Sequence, residues 1–185
     1  MKHIVAIGAS NSGQSINKKL ATWAAHQVEQ AKVTVLDLNK FEMPIYSVER
    51  EQQGIPAEAK KFKEIITDAD GLVISFAEYN GSYTSAFKNI FDWISRLPGV
   101  IWEEKPMMLL STSPGPRGAQ SVLKTATTSF PYQGAQVAGS FSLPSFGQNF
   151  DLEIGITDIQ MKATFEQLLW SFETQITDNT AEVLS

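Results

Sequence analysis

Two hydrophobic periodicities alternate along the chain. Residues 4–9 are an unbroken apolar run ending in Gly8-Ala9-Ser10, the pattern of a parallel strand covered on both faces. Ile16, Leu20, Trp23, Ala24 and Val28 then recur at helical spacing. Residues 33–38 predict a second strand, followed by a loop carrying Met43-Pro44 and a polar run at residues 49–53. Pro56 opens a helix at its first position, with Phe62, Ile65, Ile66 and Ala69 on one stripe. Residues 72–76 predict a third strand, and Phe87, Ile90, Phe91 and Ile94 mark the helix after it. A fourth strand is expected at residues 106–110, then a helix through Val122, Leu123 and Ala126, then a fifth strand at residues 137–141. Met161, Phe165, Leu168, Leu169 and Phe172 stripe a last helix. Residues 178–185 lose the pattern and are expected to fray.

Strands separated by helices imply an α/β domain, doubly wound around a parallel sheet with right-handed crossovers. The length of 185 residues suits one such domain, expected over residues 1–177. Composition then removes several chemistries. With no cysteine there is no disulfide, zinc–thiolate site, iron–sulfur cluster or thiol nucleophile. Fifteen Lys and Arg against twenty Asp and Glu leave a net charge of −5, which disfavours a nonspecific grip on nucleic acid. No run approaches the ~18 apolar residues of a membrane span. The apolar start is too short for a leader peptide and reads as a strand, so a cytoplasmic location without membrane insertion is expected.

Ligands of doubly wound sheets sit beyond the carboxyl ends of the strands, which directs attention to the loops after strands one, three and four. The first is Gly8-Ala9-Ser10-Asn11-Ser12-Gly13-Gln14-Ser15-Ile16-Asn17. It is neither a G-x-x-x-x-G-K-[ST] loop nor a G-x-G-x-x-G turn. Its hydroxyls and helix-start amides suit either a phosphate cup or simple capping of the helix by Ser12 or Ser15. The second is Ala77-Glu78-Tyr79-Asn80-Gly81-Ser82-Tyr83, where Asn-Gly permits a left-handed turn; Ser82 or Thr84 is the alternative, a plain helix cap. The third, Ser111-Thr112-Ser113-Pro114-Gly115-Pro116-Arg117-Gly118, is stiffened by its prolines and leaves room at its glycines for a flat ligand. Taken singly, each has a purely structural reading. Three polar, glycine-bearing loops on one sheet edge favour a common ligand. His3 and His26 lie away from all three.

At these residues the chain resembles the NADPH-dependent FMN reductase family. Ala9-Ser10-Asn11-Ser12-Gly13-Gln14-Ser15-Ile16-Asn17 follows the family's G-S-x-R-x-x-S-x-N pattern in its serines and asparagine. Glu78-Tyr79-Asn80-Gly81-Ser82 followed by Phe87-Lys88-Asn89-Ile90-Phe91-Asp92-Trp93 matches P-E-Y-N-G-S running into L-K-N-A-x-D-W. Lys105-Pro106 and the Ser111, Ser113, Gly115 and Gly118 loop also fit. The resemblance implies a flavodoxin-like three-layer sandwich with a five-stranded parallel sheet in the order 2-1-3-4-5. It implies FMN as cofactor, with Ser10, Ser12, Ser15, Ile16 and Asn17 at the phosphate. Glu78, Tyr79, Asn80 and Gly81 would lie along one side of the isoalloxazine, and Ser113, Pro114 and Gly115 along its other edge. It further implies hydride from NADPH or NADH, electrons passed to a small-molecule quinone, flavin or azo acceptor, and a homodimer or homotetramer. No catalytic side chain or metal is expected, because the flavin carries the chemistry.

Departures from the family pattern carry expectations of their own. Ser12 replaces an arginine, with Lys18 and Lys19 as the nearest substitute cations; Ala77 replaces a proline. Arg117 is the candidate for a nicotinamide 2′-phosphate. Lys88 and Asp92, four apart, pair with each other or reach a partner chain. Trp102, beside Gly99-Val100-Ile101 and Glu103, is expected in an exposed loop at an interface or over the substrate. The competing function is a flavodoxin-like electron carrier without nicotinamide activity. A phosphoacceptor receiver is excluded by Gly8-Ala9-Ser10 and Glu78, where that class requires aspartates.

Overall fold

Apolar residues at every position of a strand can be buried only if both faces of the sheet are covered, and that is how the chain folds. The structure, a computed structural model, describes the backbone of residues 1–183 and the side chains of residues 1–179. In chain order the elements are β1 (Lys2–Ala9), α1 (Ile16–His26), β2 (Ala31–Leu36), a 3₁₀ turn (Leu38–Phe41), α2 (Val48–Glu51) and α3 (Ala57–Thr67). There follow β3 (Gly71–Phe76), β4 (Glu78–Tyr79), β5 (Ser82–Tyr83), α4 (Ser85–Ile94), β6 (Lys105–Thr112) and α5 (Gln120–Ser129). A 3₁₀ turn (Phe130–Gln133), β7 (Ala135–Leu143), α6 (Phe146–Asn149), β8 (Phe150–Asp151), β9 (Gly155–Ile156) and α7 (Ile159–Val183) complete the fold.

The main sheet has five parallel strands in the order β2-β1-β3-β6-β7. Counting these strands alone gives 2-1-3-4-5, the expected order. Successive residues of each strand serve opposite cores. Val5, Ile7, Leu72, Ile74, Met107 and Leu109 join α3, α4 and α5 on one side. Ile4, Ala6, Val73, Met108 and Leu110 join α1 and α7 on the other. The three-layer sandwich follows directly. Gly8 lets α1 lie close on β1: a Cβ there would stand 2.4 Å from the Cα of Lys18. This contact sets where the first helix begins relative to the strand it follows.

Several expectations change. The polar run at residues 49–53 is partly helical, as α2. Pro56 is the residue before the first turn of α3 rather than its first helical residue, a shift within the usual uncertainty of helix ends. The frayed tail expected from residue 178 is helical as far as Val183; Leu184 and Ser185 lie outside the described residues. Trp102 is a correction of larger consequence. It is 0% exposed and packs on Phe91 and Phe130, with ring centroids 5.5 and 4.5 Å away. The surrounding loop is held down by Lys63 of α3. Its ammonium donates to the carbonyls of Val100 and Ile101 and pairs with Glu103 at 2.6 Å. Trp102 is therefore core, and no lid or interface role attaches to it.

Candidate functional site

The order of strands reverses at β1 and β3, so the crevice opens where β1, β3 and β6 end. In the first loop each serine closes a small local turn. Ser10 Oγ accepts from the Ser12 amide at 3.2 Å, Ser12 Oγ from the Gln14 amide at 3.3 Å, and Ser15 Oγ from the Lys18 amide at 3.1 Å. Ser15 is thus the helix cap. The first carbonyl-to-amide bond of the helix runs from Ser15 to Lys19, so the Ile16 and Asn17 amides have no acceptor within the helix. They are the donors that a helix start offers to an anion.

Asn17 combines this position with a second task. Its buried Oδ1 accepts from Ser75 Oγ at 2.7 Å and from the Thr112 amide at 3.0 Å, while Nδ2 donates to the Thr112 carbonyl at 3.1 Å. The side chain fastens α1 to the ends of β3 and β6. What it leaves for a ligand is its backbone amide.

The second loop is a two-residue hairpin, with Glu78 opposite Tyr83 and Tyr79 opposite Ser82. Its turn residues, Asn80 and Gly81, have φ of 53° and 76°, the left-handed pair of a type I′ turn. The Glu78 carboxylate leaves the hairpin and accepts from the Val122 amide in the first turn of α5, at 2.9 Å. Thr84 closes the far side: it caps α4 through the Phe87 amide and donates to the Ala9 carbonyl at 2.9 Å. The third loop folds back on the start of α6, because the Gly115 carbonyl accepts from the Ser145 amide at 2.9 Å and the Ser113 carbonyl from the Phe146 amide at 3.0 Å.

These loops enclose a cavity of about 290 Å³. Nine residues expected at the site line it: Ser10, Ser12, Ser15, Ile16, Asn17, Glu78, Tyr79, Ser113 and Pro114. Gln14, Ala77 and Thr112 line it too; all three lie in the loops read from sequence, Ala77 as a departure from the family's proline, but none was expected to touch the ligand. Asn80, Gly81 and Gly115 do not line the cavity. They shape the hairpin turn and the third loop instead. The lining suits an anionic, partly planar ligand: hydroxyls and first-turn amides at one end, an aromatic ring and a proline at the other. Its one carboxylate, Glu78, is already engaged by an amide. FMN fits this donor set.

Charges around the site are few. Lys18 does not line the cavity; its ammonium lies 2.9 Å from Asp37, and this hydrogen bond, with those from Asn39, holds the Asp37 carboxyl down at about 2. Lys19 does not line the cavity either. Arg117 donates to Ser121 Oγ at 3.1 Å. Lys88 and Asp92 pair with each other at 2.6 Å. Asn89 and Trp93 of the same helix are clasps. Asn89 receives the Tyr46 amide and donates to the Met43 and Pro44 carbonyls, and Trp93 Nε1 donates to Pro44 at 2.7 Å. His3 bridges Asp68 and Thr34, a structural role.

Known proteins share this architecture. The flavoenzyme NAD(P)H:(acceptor) oxidoreductase FerB from Paracoccus denitrificans superposes with a TM-score of 0.78, covering 96% of this chain and 98% of its own at 22% identity. A quinone reductase of Escherichia coli is 37% identical over 75 residues, 40% of each chain, so the match spans well under half of that relative. An NADPH:quinone oxidoreductase of Arabidopsis thaliana is 29% identical over 144 residues, covering 71% of this chain and 68% of the relative. A family description, NADPH-dependent FMN reductase, matches residues 2–148. That stretch contains all three loops and every strand of the main sheet, and the chain belongs to the NADPH-dependent FMN reductase family.

Proposed function

We propose that the protein is an FMN-dependent NAD(P)H oxidoreductase that delivers electrons to a small acceptor of the quinone, azo or flavin type. When bound, FMN supplies the redox chemistry, between a hydride donor and an electron acceptor. The observation that carries this reading is the pair of Ile16 and Asn17 amides, free at the start of α1 and opening into the cavity that Tyr79 and Pro114 also line. Those amides, with the hydroxyls of Ser10, Ser12 and Ser15, hold a phosphate without a cation. Glu78 and Tyr79 orient the ring system from one side, presented by the Asn80-Gly81 turn, and Ser113 and Pro114 bound it from the other, with Gly115 shaping their loop. Tyr79 is 51% exposed at the hairpin and shields the ring edge from water when the site is filled. With Ser12 where the family pattern has arginine, the phosphate grip rests on neutral donors, whose strength falls little with added salt.

The proposal includes a cytoplasmic homodimer or homotetramer. Ile45 and Val48 are exposed beside α4, an apolar surface that a second copy would cover. Among the described residues no helix is long and apolar enough to cross a membrane. A single-chain mass by light scattering would overturn the oligomer.

The deciding experiment adds FMN to the purified protein, desalts it and records the visible spectrum, then adds NADPH or NADH without oxygen. Retained flavin absorbance that bleaches with either nicotinamide is expected. A colourless protein would remove the cofactor assignment. Retained flavin that stays oxidised would favour the electron-carrier reading.

A further inference from the structure

A second cavity, of about 560 Å³, lies between α1 and the β8–β9 hairpin and touches the first only through Ser15. The reductase reading uses none of its other residues. Its wall is the indole of Trp23, held in place on three sides. Phe150 meets it edge-on at 5.6 Å, Phe165 lies 4.8 Å away, and the backbone at Gly155 is packed so closely that a Cβ there would stand 2.1 Å from the ring. Leu152, 68% exposed, forms an apolar rim. A flat apolar wall fixed this firmly is a stacking platform rather than an adaptable surface.

The polar side chains around that wall include two lysines, the His26 imidazole and the hydroxyls of Ser15 and Thr22. Lys18 and Lys19 both line the cavity. Lys18 is paired with Asp37, whereas no ion pair or hydrogen bond among the described residues engages the Lys19 ammonium. Trp23 Nε1 is likewise without an acceptor among the described residues. His26 Nδ1 donates to the Thr22 carbonyl at 2.8 Å, which leaves Nε2 as the ring's remaining nitrogen. Among the described residues no carboxylate lines the cavity, although acidic residues outnumber basic ones in the chain as a whole.

We infer that this groove is a second ligand site, for a planar aromatic anion such as an aryl carboxylate or sulfonate. The ring stacks on Trp23 against Leu152, and the anion takes the Lys19 ammonium. A neutral arene would leave that ammonium without a partner, a compact phosphate would leave the indole wall bare, and an aromatic ammonium would face Lys19.

The test titrates the full chain, with FMN in excess to fill the first cavity, with 2-naphthoate and with 2-naphthylmethylammonium, by calorimetry. One saturable naphthoate site per chain is expected, at least about tenfold tighter than for the cation. Lys19→Gln should weaken naphthoate about fivefold and leave the cation unchanged or tighter. Leu152→Asp should weaken naphthoate by a similar factor; Leu152 is exposed and Lys19 half-buried, and unchanged circular dichroism confirms that the fold is kept. Equal affinity for the two probes would overturn the assignment. So would naphthoate binding that appears only without FMN and ignores both substitutions, since the probe would then occupy the first cavity.

Discussion

The cup at the start of α1 and the hairpin after β3 reach the same cavity by opposite means. In the cup, hydroxyls of Ser10, Ser12 and Ser15 satisfy amides two or three residues further on, so its turns are written locally, while Asn17 and the Ala9 and Asn11 carbonyls tie it to distant elements. In the hairpin, the local contribution is a pair of left-handed residues, and its anchor is a carboxylate bonded to another helix. A locally closed turn holds its shape through its own contacts. The hairpin keeps its place only while α5 keeps its own. The cup should therefore fail with the scaffold, and the hairpin should fail before it.

The most severe test of this contrast is Gly8→Val. Its side chain would collide with the backbone of Lys18, and backbone cannot swing aside, so a loss of about 3 kcal/mol or more in urea unfolding is expected. A loss under about 1 kcal/mol would show that α1 can part from β1 cheaply, and that the cup is not positioned by their packing. Asn17→Ala comes next: it strands the Ser75 hydroxyl and both backbone groups of Thr112 in the core, at about 2–3 kcal/mol. Stability unchanged by that substitution would remove the long-range tie attributed to the cup.

Glu78→Ala should cost only about 1 kcal/mol, the value of a helix cap, yet weaken FMN several-fold by fluorescence titration. Glu78→Gln, which keeps an acceptor for the Val122 amide, should recover most of both. Equal loss in the two variants would mean that the charge, and not the tie to α5, is what matters.

Asp37→Asn is the smallest effect, about 0.5 kcal/mol at neutral pH, because both partners are about a third exposed and well screened. Its pH dependence has a definite sign. The carboxyl is held at about 2 against an ordinary 3.8, so its contribution is complete above 3.8 and fades as pH falls through 2. Wild type and variant should converge in acid; a gap that widens there would contradict the Lys18 assignment.

The same division between local and distant partners explains what could be read from sequence. The inner strands of the central sheet are legible because burial on both faces leaves an unbroken apolar run, and the Ser15 and Thr84 caps because the amides that donate to them lie three residues on. The uses of Asn17 and Glu78 are not legible. Their partners lie 95 and 44 residues away, and nothing in the local pattern separates a ligand asparagine from a strut. Trp102 misleads for the same reason. Its neighbours in the chain, Gly99-Val100-Ile101 and Glu103, have the composition of a surface loop. Its burial depends on Phe91, Phe130 and the anchor supplied by Lys63.

Lys63 has a consequence for chemical labelling. Its ammonium is buried with two carbonyls and a carboxylate around it, so an acylating reagent is shut out from it until the loop around Trp102 lifts. Modification of Lys63 would then proceed at the rate of that opening. A mass-spectrometric time course at this one residue becomes a clock for how often the aromatic core is breached.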